Sequence, residues 1–353
     1  MIKIPGLIDI HVHIREPGAT HKEDWESGTA AALAGGITAM LAMPNTDPPI
    51  TDATTLSNSL SAARQKAYCD YAQFLGAGPD NVDVLPKLGK YTVGMKMYLD
   101  QTYGSLRLDE MILWMKHFKN WPPTLPIAVH AEGRTLAAVI LLAYLYGRSL
   151  HVCHVSLREE IILIKKAKNR GLKITCEVTP HHLFLSKEDI PSIGEGRSEV
   201  RPRLAATYDR DALWENLNII DCFATDHAPH TLSEKDSSNP PPGFPGLETA
   251  LPLLCNAVNE RRLSFDDIVE RMYTNPRKIF NLPDQPDTWI EIDQNEEWEI
   301  EAKNLYTRCA WTPFEGAHVF GKVKCVVLRG QKVFQDGRLL ASPGIGLNLR
   351  PIF

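Results

Sequence analysis

Short apolar runs alternate with longer amphipathic segments along the first 280 residues of the chain. Eight runs have the length and composition of buried strands, and they cover residues 7–14, 37–43, 71–75, 94–99, 126–130, 149–155, 173–178 and 222–225. Between most of them the apolar residues recur at helical spacing, as over residues 157–168, where Gly171 then provides a helix stop. Eight strand–helix units over about 250 residues predict an α/β protein of the closed (β/α)8, or TIM-barrel, type.

The ends of this pattern define the predicted domain organisation. A doubly wound open sheet would place a glycine-rich phosphate loop after the first strand, but His-Val-His-Ile-Arg follows it here. Beyond residue 284 the chain predicts short strands at 289–293, 297–300, 323–328 and 331–334, with turns at Arg329-Gly330 and Asp336-Gly337. We therefore predict a barrel over residues 5–284 and a small β subdomain from residues 1–4 and 285–353, formed mainly by the C-terminal segment.

Composition and charge narrow the range of functions. The 353 residues are 44% hydrophobic and 23% charged, with a net charge of −5, so neither a nucleic-acid nor a membrane partner is predicted. The longest apolar stretch, residues 136–146, is shorter than the roughly 18 residues of a membrane span and predicts a buried helix. An odd number of cysteines without a CxxC pair, and a start without a signal-peptide pattern, predict a cytoplasmic protein with buried thiols.

Candidate metal ligands stand at the ends of predicted strands, which in a barrel converge on one face. His11 and His13 close the first strand, His130 the fifth, His154 the sixth and Asp226 the eighth. Each could by itself be a satisfied core residue, and an HxH pair alone is weak evidence. Four imidazoles and one carboxylate on one rim are typical of a zinc site.

Lys96 lies in the fourth predicted strand, Val-Gly-Met-Lys-Met-Tyr-Leu. A lysine among such residues is more often a snorkelling or edge residue. On the inner rim beside zinc, an ammonium would be repelled by the metals and costly to desolvate. Reaction of a neutral lysine with carbon dioxide gives a carbamate, which converts the cation into a carboxylate that can bridge two metals. We therefore predict a carboxylated Lys96.

The complete set resembles the binuclear amidohydrolase superfamily, and within it the dihydroorotases. The resemblance rests on PGLIDIHVHIREPG at 5–18, MPNT at 43–46, DHAPHT at 226–231 and GFPGLET at 243–249. It extends over essentially the whole chain and is strongest to the dihydroorotase domain of the animal trifunctional pyrimidine-synthesis protein (CAD). It implies two zinc ions per chain, held by His11, His13, the carboxylated Lys96, His130, His154 and Asp226.

The resemblance also implies a substrate pocket. Arg15, Asn45 and His230 match the residues that bind the substrate carboxylate, although alone Arg15 resembles a surface ion-pair residue and Asn45 a turn residue. Residues 100–105 match the mobile loop over the substrate, where Thr102 and Tyr103 take the two contact positions. The animal protein has phenylalanine where this chain has Tyr103. Two further positions, Arg201 and Pro242, match residues that line the pyrimidine pocket.

Two residues beside the predicted ligands have two interpretations. In the relatives that the chain resembles most, the positions of Cys153 and Glu177 hold a third zinc. The alternatives are a buried thiol and a carboxylate that orients a ligand. The other histidines are expected to be structural, as for His181, His182 and His227, or ordinary, as for His21, His117, His151 and His318.

The function implied is dihydroorotase: reversible, zinc-dependent cyclisation of N-carbamoyl-L-aspartate to (S)-dihydroorotate, the third step of pyrimidine synthesis. Asp226 would remove a proton from the attacking water and return it to the leaving nitrogen. The alternatives are an allantoinase or dihydropyrimidinase, whose substrates lack this carboxylate, and an inactive scaffold domain, which would have lost ligands. The resemblance further implies a homodimer and fusion to carbamoyl-phosphate synthetase and aspartate transcarbamoylase.

Overall fold

A computed structural model of the chain describes residues 1–351. Within them the strands are β1 (Ile2–Pro5), β2 (Leu7–Val12), β3 (Ile37–Ala42), β4 (Asp70–Gln73), β5 (Leu75–Gly76), β6 (Met95–Tyr98), β7 (Ile127–His130), β8 (Leu150–Val152), β9 (Ile174–Val178), β10 (Cys222–Phe223), β11 (Trp289–Glu299), β12 (His318–Leu328), β13 (Gln331–Gln335) and β14 (Arg338–Leu339).

Strands β2 to β10 form the barrel. β2, β3 and β4 pair in parallel, and β5 to β10 pair in parallel in chain order. β4 and β5 are two parts of one strand, interrupted at Phe74. The last strand meets the first where the His13 amide donates to the His227 carbonyl at 2.8 Å, beside a parallel bridge from Val12 to His227. The prediction of a (β/α)8 barrel is confirmed: seven predicted runs contain one strand each, and the run at 71–75 overlaps β4 and β5.

Helices cover the outside of the barrel. They are α1 (Trp25–Ala34), α2 (Ala53–Lys66), α3 (Leu85–Leu88), α4 (Met111–Asn120), α5 (Gly133–Tyr146), α6 (Arg158–Asn169), α7 (Pro180–Phe184), α8 (Ile190–Ile193), α9 (Thr207–Glu215), α10 (Leu232–Lys235), α11 (Ala250–Asn259), α12 (Phe265–Val269) and α13 (Asn275–Phe280), with a π-helical turn at Glu270–Thr274 between the last two.

The prediction made for α6 is confirmed, whereas the burial predicted for α5 is only partly correct. The helix predicted over 157–168 is α6, and its apolar face packs on the barrel through Ile161 and Ile164. The apolar stretch in α5 was predicted to be buried, and this is wrong for one face. Leu141, Tyr144 and Leu145 are 55%, 65% and 63% exposed. An α5 that is apolar all round buries only the side that faces the barrel.

The appendage is an antiparallel sheet in the order β1–β11–β12–β13–β14. The strands predicted at 289–293 and 297–300 are one continuous strand, β11, because a bulge between Asp293 and Glu297 absorbs the polar residues. Both predicted turns are confirmed, with φ of 49° and 75° at Arg329-Gly330 and 48° and 77° at Asp336-Gly337. β1 joins this sheet by pairing with β11. The proposed domain boundaries at residues 4/5 and 284/285 stay a prediction.

Two buried apolar clusters support the barrel strands whose carboxyl ends carry the predicted ligands. Ile8, Ile10, Leu41 and Phe74 belong to a cluster inside the barrel, and a larger cluster fills the space between strands and helices. All seven cysteines are buried free thiols. Among residues 1–351, no helix combines the length and the apolar character that crossing a membrane would require.

Candidate active site

The predicted metal ligands meet at the carboxyl ends of the barrel strands. His11 lies in β2 and His13 follows it, Lys96 lies in β6, and His130 ends β7. None of these side chains is more than 7% exposed. The two remaining ligands, His154 and Asp226, come shortly after β8 and β10, and both have positive φ, 36° and 46°. Such backbone strain in residues other than glycine is typical of functional sites.

The hydrogen bonds of the HxH pair leave lone pairs facing one another. The Nδ1–H of His13 donates to Asn45 Oδ1 at 2.6 Å, and the Nδ1–H of His11 donates to Glu177. Each imidazole then presents its Nε2 lone pair to Asp226 Oδ1, at 2.9 Å from His13 and 3.2 Å from His11. Three acceptors in contact repel one another unless a cation or a proton lies between them. The hydrogen bonds from Nδ1 to Glu177 and Asn45 orient the two imidazoles as ligands that bind metal through Nε2.

The surrounding charges favour a proton on Nε2 of His11, in its contact with Asp226. Burial and the Lys96 cation oppose protonation of His11, but Asp226 and Glu177 outweigh them and raise the pKa of His11 to about 10. Burial lowers the pKa of His13 to about 4. Burial also opposes ionisation of Asp226, yet His11 and His13 hold its pKa well below the ordinary value. Asp226 is therefore a carboxylate that attracts a positive charge to this position.

His130 and His154 form a second pair of imidazoles. With His11, His13, Lys96 and Asp226 they make up the set of predicted metal ligands, which we call the ring of ligands. Nδ1 of His130 and Nε2 of His154 are 3.0 Å apart, so that one donates to the other. The outer nitrogens, Nε2 of His130 and Nδ1 of His154, are buried and form no hydrogen bond, and the only ionic neighbour of His130 Nε2 among residues 1–351 is Glu132 Oε1 at 3.5 Å. The His154 ring stands 5.3 Å from the His11 ring, which joins the two pairs. Buried, unpartnered imidazole nitrogens fit a bound metal, since leaving them empty costs desolvation energy.

Lys96 is fully buried, and its charge acts on one histidine of each pair, His11 and His154. Its Nζ contacts Cys153 Sγ at 2.8 Å and stands 5.2 Å from the centre of the Tyr98 ring. No carboxylate of residues 1–351 lies within 4 Å of it. A buried ammonium without a counter-ion is unfavourable, and this position agrees with the predicted conversion of Lys96 into an anionic ligand.

Cys153 and Glu177 lie beside the ring of ligands, next to His11. Ligand atoms of His11, Cys153 and Glu177 are all within 4.8 Å of one another, as are those of His11, His13 and Asp226. β8 ends at Val152, so the alternation of side chains along a strand does not turn Cys153 away from the neighbouring ligand His154. Burial opposes ionisation of Glu177, but contacts with His11 and His151 hold its pKa well below the ordinary value. Both proposed roles of the two residues remain compatible with these positions.

Two supporting residues were not predicted from the sequence. His151, taken as ordinary, has its Nε2 at 3.0 Å from Glu177 and is 1% exposed. His151 and Cys153 are two residues apart in the strand predicted at 149–155, and this spacing was the available signal. Asp9 accepts from Thr225 Oγ1 at 2.6 Å and from the His11 amide at 3.1 Å, which ties the first strand to the last. Burial raises the pKa of Asp9 to about 7, against those hydrogen bonds.

Beside the ring of ligands lies a buried cationic pocket. Arg15, Asn45 and His230 are 3%, 6% and 0% exposed. Arg15 donates to the Pro229 carbonyl at 3.1 Å, and its guanidinium lies 3.1 Å from His230 Nε2. No carboxylate of residues 1–351 lies within 4 Å of Arg15. Burial, together with Arg15 and Lys22, lowers the pKa of His230 well below its ordinary value, so the ring is neutral. The pocket therefore has positive charge available for an anion.

Asn45 belongs to both parts of the site. Its oxygen holds His13, and its Nδ2 donates to the Tyr103 carbonyl at 3.1 Å. The Tyr103 ring lies 4.8 Å from the His230 ring and 5.0 Å from the Arg15 guanidinium carbon, so the predicted loop covers the pocket. Thr102 precedes it on the loop. The sequence did not single out Lys22, which is 4% exposed and contacts His230 Nδ1 at 3.1 Å.

The two remaining predicted contacts are placed differently. The carbonyl of Pro242 accepts from His230 Nε2 at 3.1 Å and so borders the pocket. Arg201 pairs with Glu199 and donates to the Val200 carbonyl at 2.9 Å. Its guanidinium is thus engaged with its own loop, and a role in the pyrimidine pocket stays a prediction.

Comparisons with known proteins identify the family. A sequence model described as Dihydro-orotase-like matches residues 1–70. The chain is 38% identical over 353 residues to a dihydroorotase of Pyrococcus furiosus, covering 96% of this chain and 83% of that protein. The chain belongs to the dihydroorotase family. It is 56% identical over 350 residues to the multifunctional protein CAD of Squalus acanthias, where the match covers 99% of this chain but only 16% of that protein.

Solved structures agree with this dihydroorotase fold. An L-hydantoinase (dihydropyrimidinase) from Arthrobacter aurescens superposes with a TM-score of 0.94 at 25% identity, covering 99% of this chain and 89% of that one. An inactive dihydroorotase-like domain of a Chaetomium thermophilum CAD-like protein has a TM-score of 0.85 at 30% identity and covers 99% of both chains. The family thus includes a domain without activity, and the function of this chain depends on its site.

Proposed function

We propose that this chain is a dihydroorotase that interconverts N-carbamoyl-L-aspartate and (S)-dihydroorotate. The observation that carries the proposal is the position of Asn45, whose oxygen holds the ligand His13 and whose Nδ2 holds Tyr103, the residue that lies over the buried Arg15 guanidinium. A cyclic amide with a carboxylate beside its ring nitrogen suits such a pair of sites, since the anion fixes the ring against the reacting groups. Arg15 supplies the planar fork for that carboxylate.

We also propose that the ring of ligands holds two zinc ions, through His11, His13, a carboxylated Lys96, His130, His154 and Asp226. Zinc, when bound there, supplies a Lewis acid that lowers the pKa of water and polarises the amide carbonyl. A third zinc would replace the proton between His11 and Glu177, with Cys153 as a further ligand.

The chain's own residues then perform the proton transfers and the positioning. Asp226 takes the proton of the attacking water and gives it to the ring nitrogen as the amide bond breaks, and ring closure reverses both transfers. Arg15, Asn45 and neutral His230 hold the carboxylate throughout. The loop with Thr102 and Tyr103 excludes water from the pocket, and Arg201 and Pro242 are proposed to border the ring of the substrate.

Two other functions remain to be separated from this one. A dihydropyrimidinase is favoured by the fold shared with the Arthrobacter aurescens enzyme, but its substrate offers no carboxylate to Arg15. An inactive domain is suggested by the Chaetomium thermophilum relative. In this chain every predicted ligand position holds a residue that can bind metal, which argues for an active site. Turnover of dihydroorotate by zinc-loaded protein decides between activity and a scaffold role.

Replacing Arg15 with methionine should change substrate choice. Without the charge-assisted contact to the carboxylate, kcat/KM for dihydroorotate should fall by an amount that corresponds to about 2–5 kcal/mol of lost transition-state stabilisation. Dihydrouracil lacks the carboxylate, so its turnover, or its inhibition constant as a competitor, should change little. Zinc content and melting temperature are the controls for an intact site. An equal loss of activity toward dihydroorotate and dihydrouracil would indicate that Arg15 has a structural role, and it would favour the dihydropyrimidinase alternative.

The cellular setting is proposed from the relatives and the composition. We propose a cytoplasmic enzyme that works as one domain of a multifunctional chain with carbamoyl-phosphate synthetase and aspartate transcarbamoylase. The relative from Squalus acanthias is a multifunctional protein by name, and the match covers only 16% of it. No nucleic-acid or membrane partner is proposed, in line with the net charge of −5.

A homodimer is also proposed, through the outer faces of α4 and α5. These helices pack against each other and expose large apolar side chains at Met111, Ile112, Leu141, Tyr144 and Leu145. Apolar patches of this kind mark interaction surfaces, and a second copy would cover both helices.

Leu145→Glu should shift the chain to a monomer in sedimentation velocity, because a charge at the interface would be desolvated. A wild-type monomer at micromolar concentration would contradict the proposal.

A further inference from the structure

Lys22 stands in the turn that follows the first barrel strand, in the polar run His21-Lys22-Glu23-Asp24. Such a run is typical of a solvated surface, but Lys22 is only 4% exposed. Its amide donates to the Ala19 carbonyl at 2.9 Å, and this turn directs the side chain toward the anion pocket. A buried ammonium at this position requires partners.

The three donors of the Lys22 ammonium meet three acceptors. They lie at Glu234 Oε1, 2.9 Å away, at His230 Nδ1, 3.1 Å away, and at the Tyr103 hydroxyl, 3.2 Å away. A lysine has three N–H donors and no acceptor, so this set satisfies it completely. Glu234 is itself fixed, since its other oxygen accepts from the Thr231 amide at 2.9 Å at the start of α10. Glu234 therefore fixes the Lys22 ammonium, which also contacts Tyr103 on the loop that covers the pocket.

Each of the other two contacts has a consequence for the site. Because Lys22 donates to Nδ1, the proton of neutral His230 lies on Nε2, on the side of Arg15 and Pro242. The contact to Tyr103 ties the covering loop to the same ammonium. The Tyr103 ring stands 4.9 Å from Lys22 Nζ and 5.0 Å from the Arg15 guanidinium carbon. One buried cation thus contacts both the carboxylate-binding histidine and the loop.

We propose that Lys22 is a positioning residue that latches the loop over the pocket through the Tyr103 hydroxyl and fixes the donor tautomer of His230. The inference rests on the proposed function in assigning the pocket to a substrate carboxylate. It gives the Tyr103 hydroxyl a role that phenylalanine at this position could not fill. The closed loop and the anion-binding donor are then stabilised by the same side chain.

The test measures loop opening directly. Amide hydrogen exchange of the peptides covering residues 100–107 is followed in the zinc-loaded full chain without substrate, for wild type, Tyr103→Phe, Lys22→Met and the double variant. Tyr103→Phe keeps the ring and removes only the hydroxyl, so it should raise exchange about ten-fold, the factor of one hydrogen bond to a charged group. The double variant should exchange no faster than Lys22→Met, because the hydroxyl then has no partner to lose.

The controls separate a latch from a general loss of structure. Tyr208→Phe, at an exposed tyrosine on α9, should leave the exchange of residues 100–107 unchanged. For dihydroorotate, Tyr103→Phe should raise KM several-fold with a smaller change in kcat. Wild-type exchange in Tyr103→Phe, or effects that multiply in the double variant, would overturn the latch. Absence of turnover in every variant would refute the proposed function, while the exchange data would still decide the latch.

Discussion

Replacing Asp226 with asparagine is expected to abolish turnover in both directions while the fold persists. Asparagine has nearly the same shape as aspartate but cannot carry a proton from the attacking water to the ring nitrogen. Positioned acid–base groups contribute about 10²–10⁴-fold, so kcat should fall by at least about 100-fold. Because ring opening and ring closure share the same transition states, hydrolysis of dihydroorotate and cyclisation of N-carbamoyl-L-aspartate should fall together.

The measurement needs a check on metal, because Asp226 also contacts the imidazoles of the HxH pair. Zinc per chain is determined for the variant after reconstitution, and kcat is compared at equal occupancy. Asp211→Asn, an exposed carboxylate on α9, is the matched control and should be indistinguishable from wild type. A metal-loaded Asp226→Asn protein with more than about a hundredth of wild-type activity would contradict the proton-transfer role.

The barrel and the rim could be predicted because both depend on local patterns. A buried parallel strand appears as a short apolar run, and the carboxyl end of such a run lies on the active face of a barrel whatever the rest of the chain does. His130 at the end of β7 and Asp226 after β10 follow from that rule alone. The residues that support them do not, since His151 and Asp9 act through contacts between different strands.

The errors have a common physical origin in long-range packing. Lys22 lies in a polar run, and its burial depends on Glu234 and His230, more than 200 residues away in the chain. The exposed face of α5 cannot be seen in a segment that is apolar on every side. β11 continues through a polar segment because β12 pairs with it on both sides of a bulge. In each case the deciding partner is distant in sequence and carries no local signature.

Lys96 is expected to be carboxylated and to bridge two zinc ions, and Lys96→Ala should lose metal and activity together. The ammonium is fully buried, its nearest polar partner is a thiol, and no carboxylate of residues 1–351 is within 4 Å. The ammonium loses one proton to become a neutral amine, and the amine adds to the carbon of carbon dioxide and loses a second proton as the N–C bond forms. The carbamate then puts an anion where two metal ions would otherwise repel each other. Alanine offers no ligand atom, so neither metal would have its bridge.

The control for this variant is the other fully buried lysine of the described chain, Lys235. Its Nζ donates to the carbonyls of Glu199 and Pro241 at 2.6 Å and 3.0 Å, away from the ring of ligands. Lys235→Ala also removes a buried cation, and its folded fraction should keep wild-type zinc per chain. Metal loss restricted to Lys96→Ala would therefore report coordination and not a general cost of emptying a lysine site.

Crystals of the wild-type chain grown with zinc give the direct observation. We expect density beyond Lys96 Nζ for a planar carbamate, and two anomalous peaks shared among His11, His13, His130, His154 and Asp226. A further peak among His11, Cys153 and Glu177 would establish the third zinc, and its absence would leave Glu177 as the partner that orients His11. The decisive contrary result is an unmodified Lys96 with both metals bound, because the site would then hold its metals without the anion that we assign to this residue.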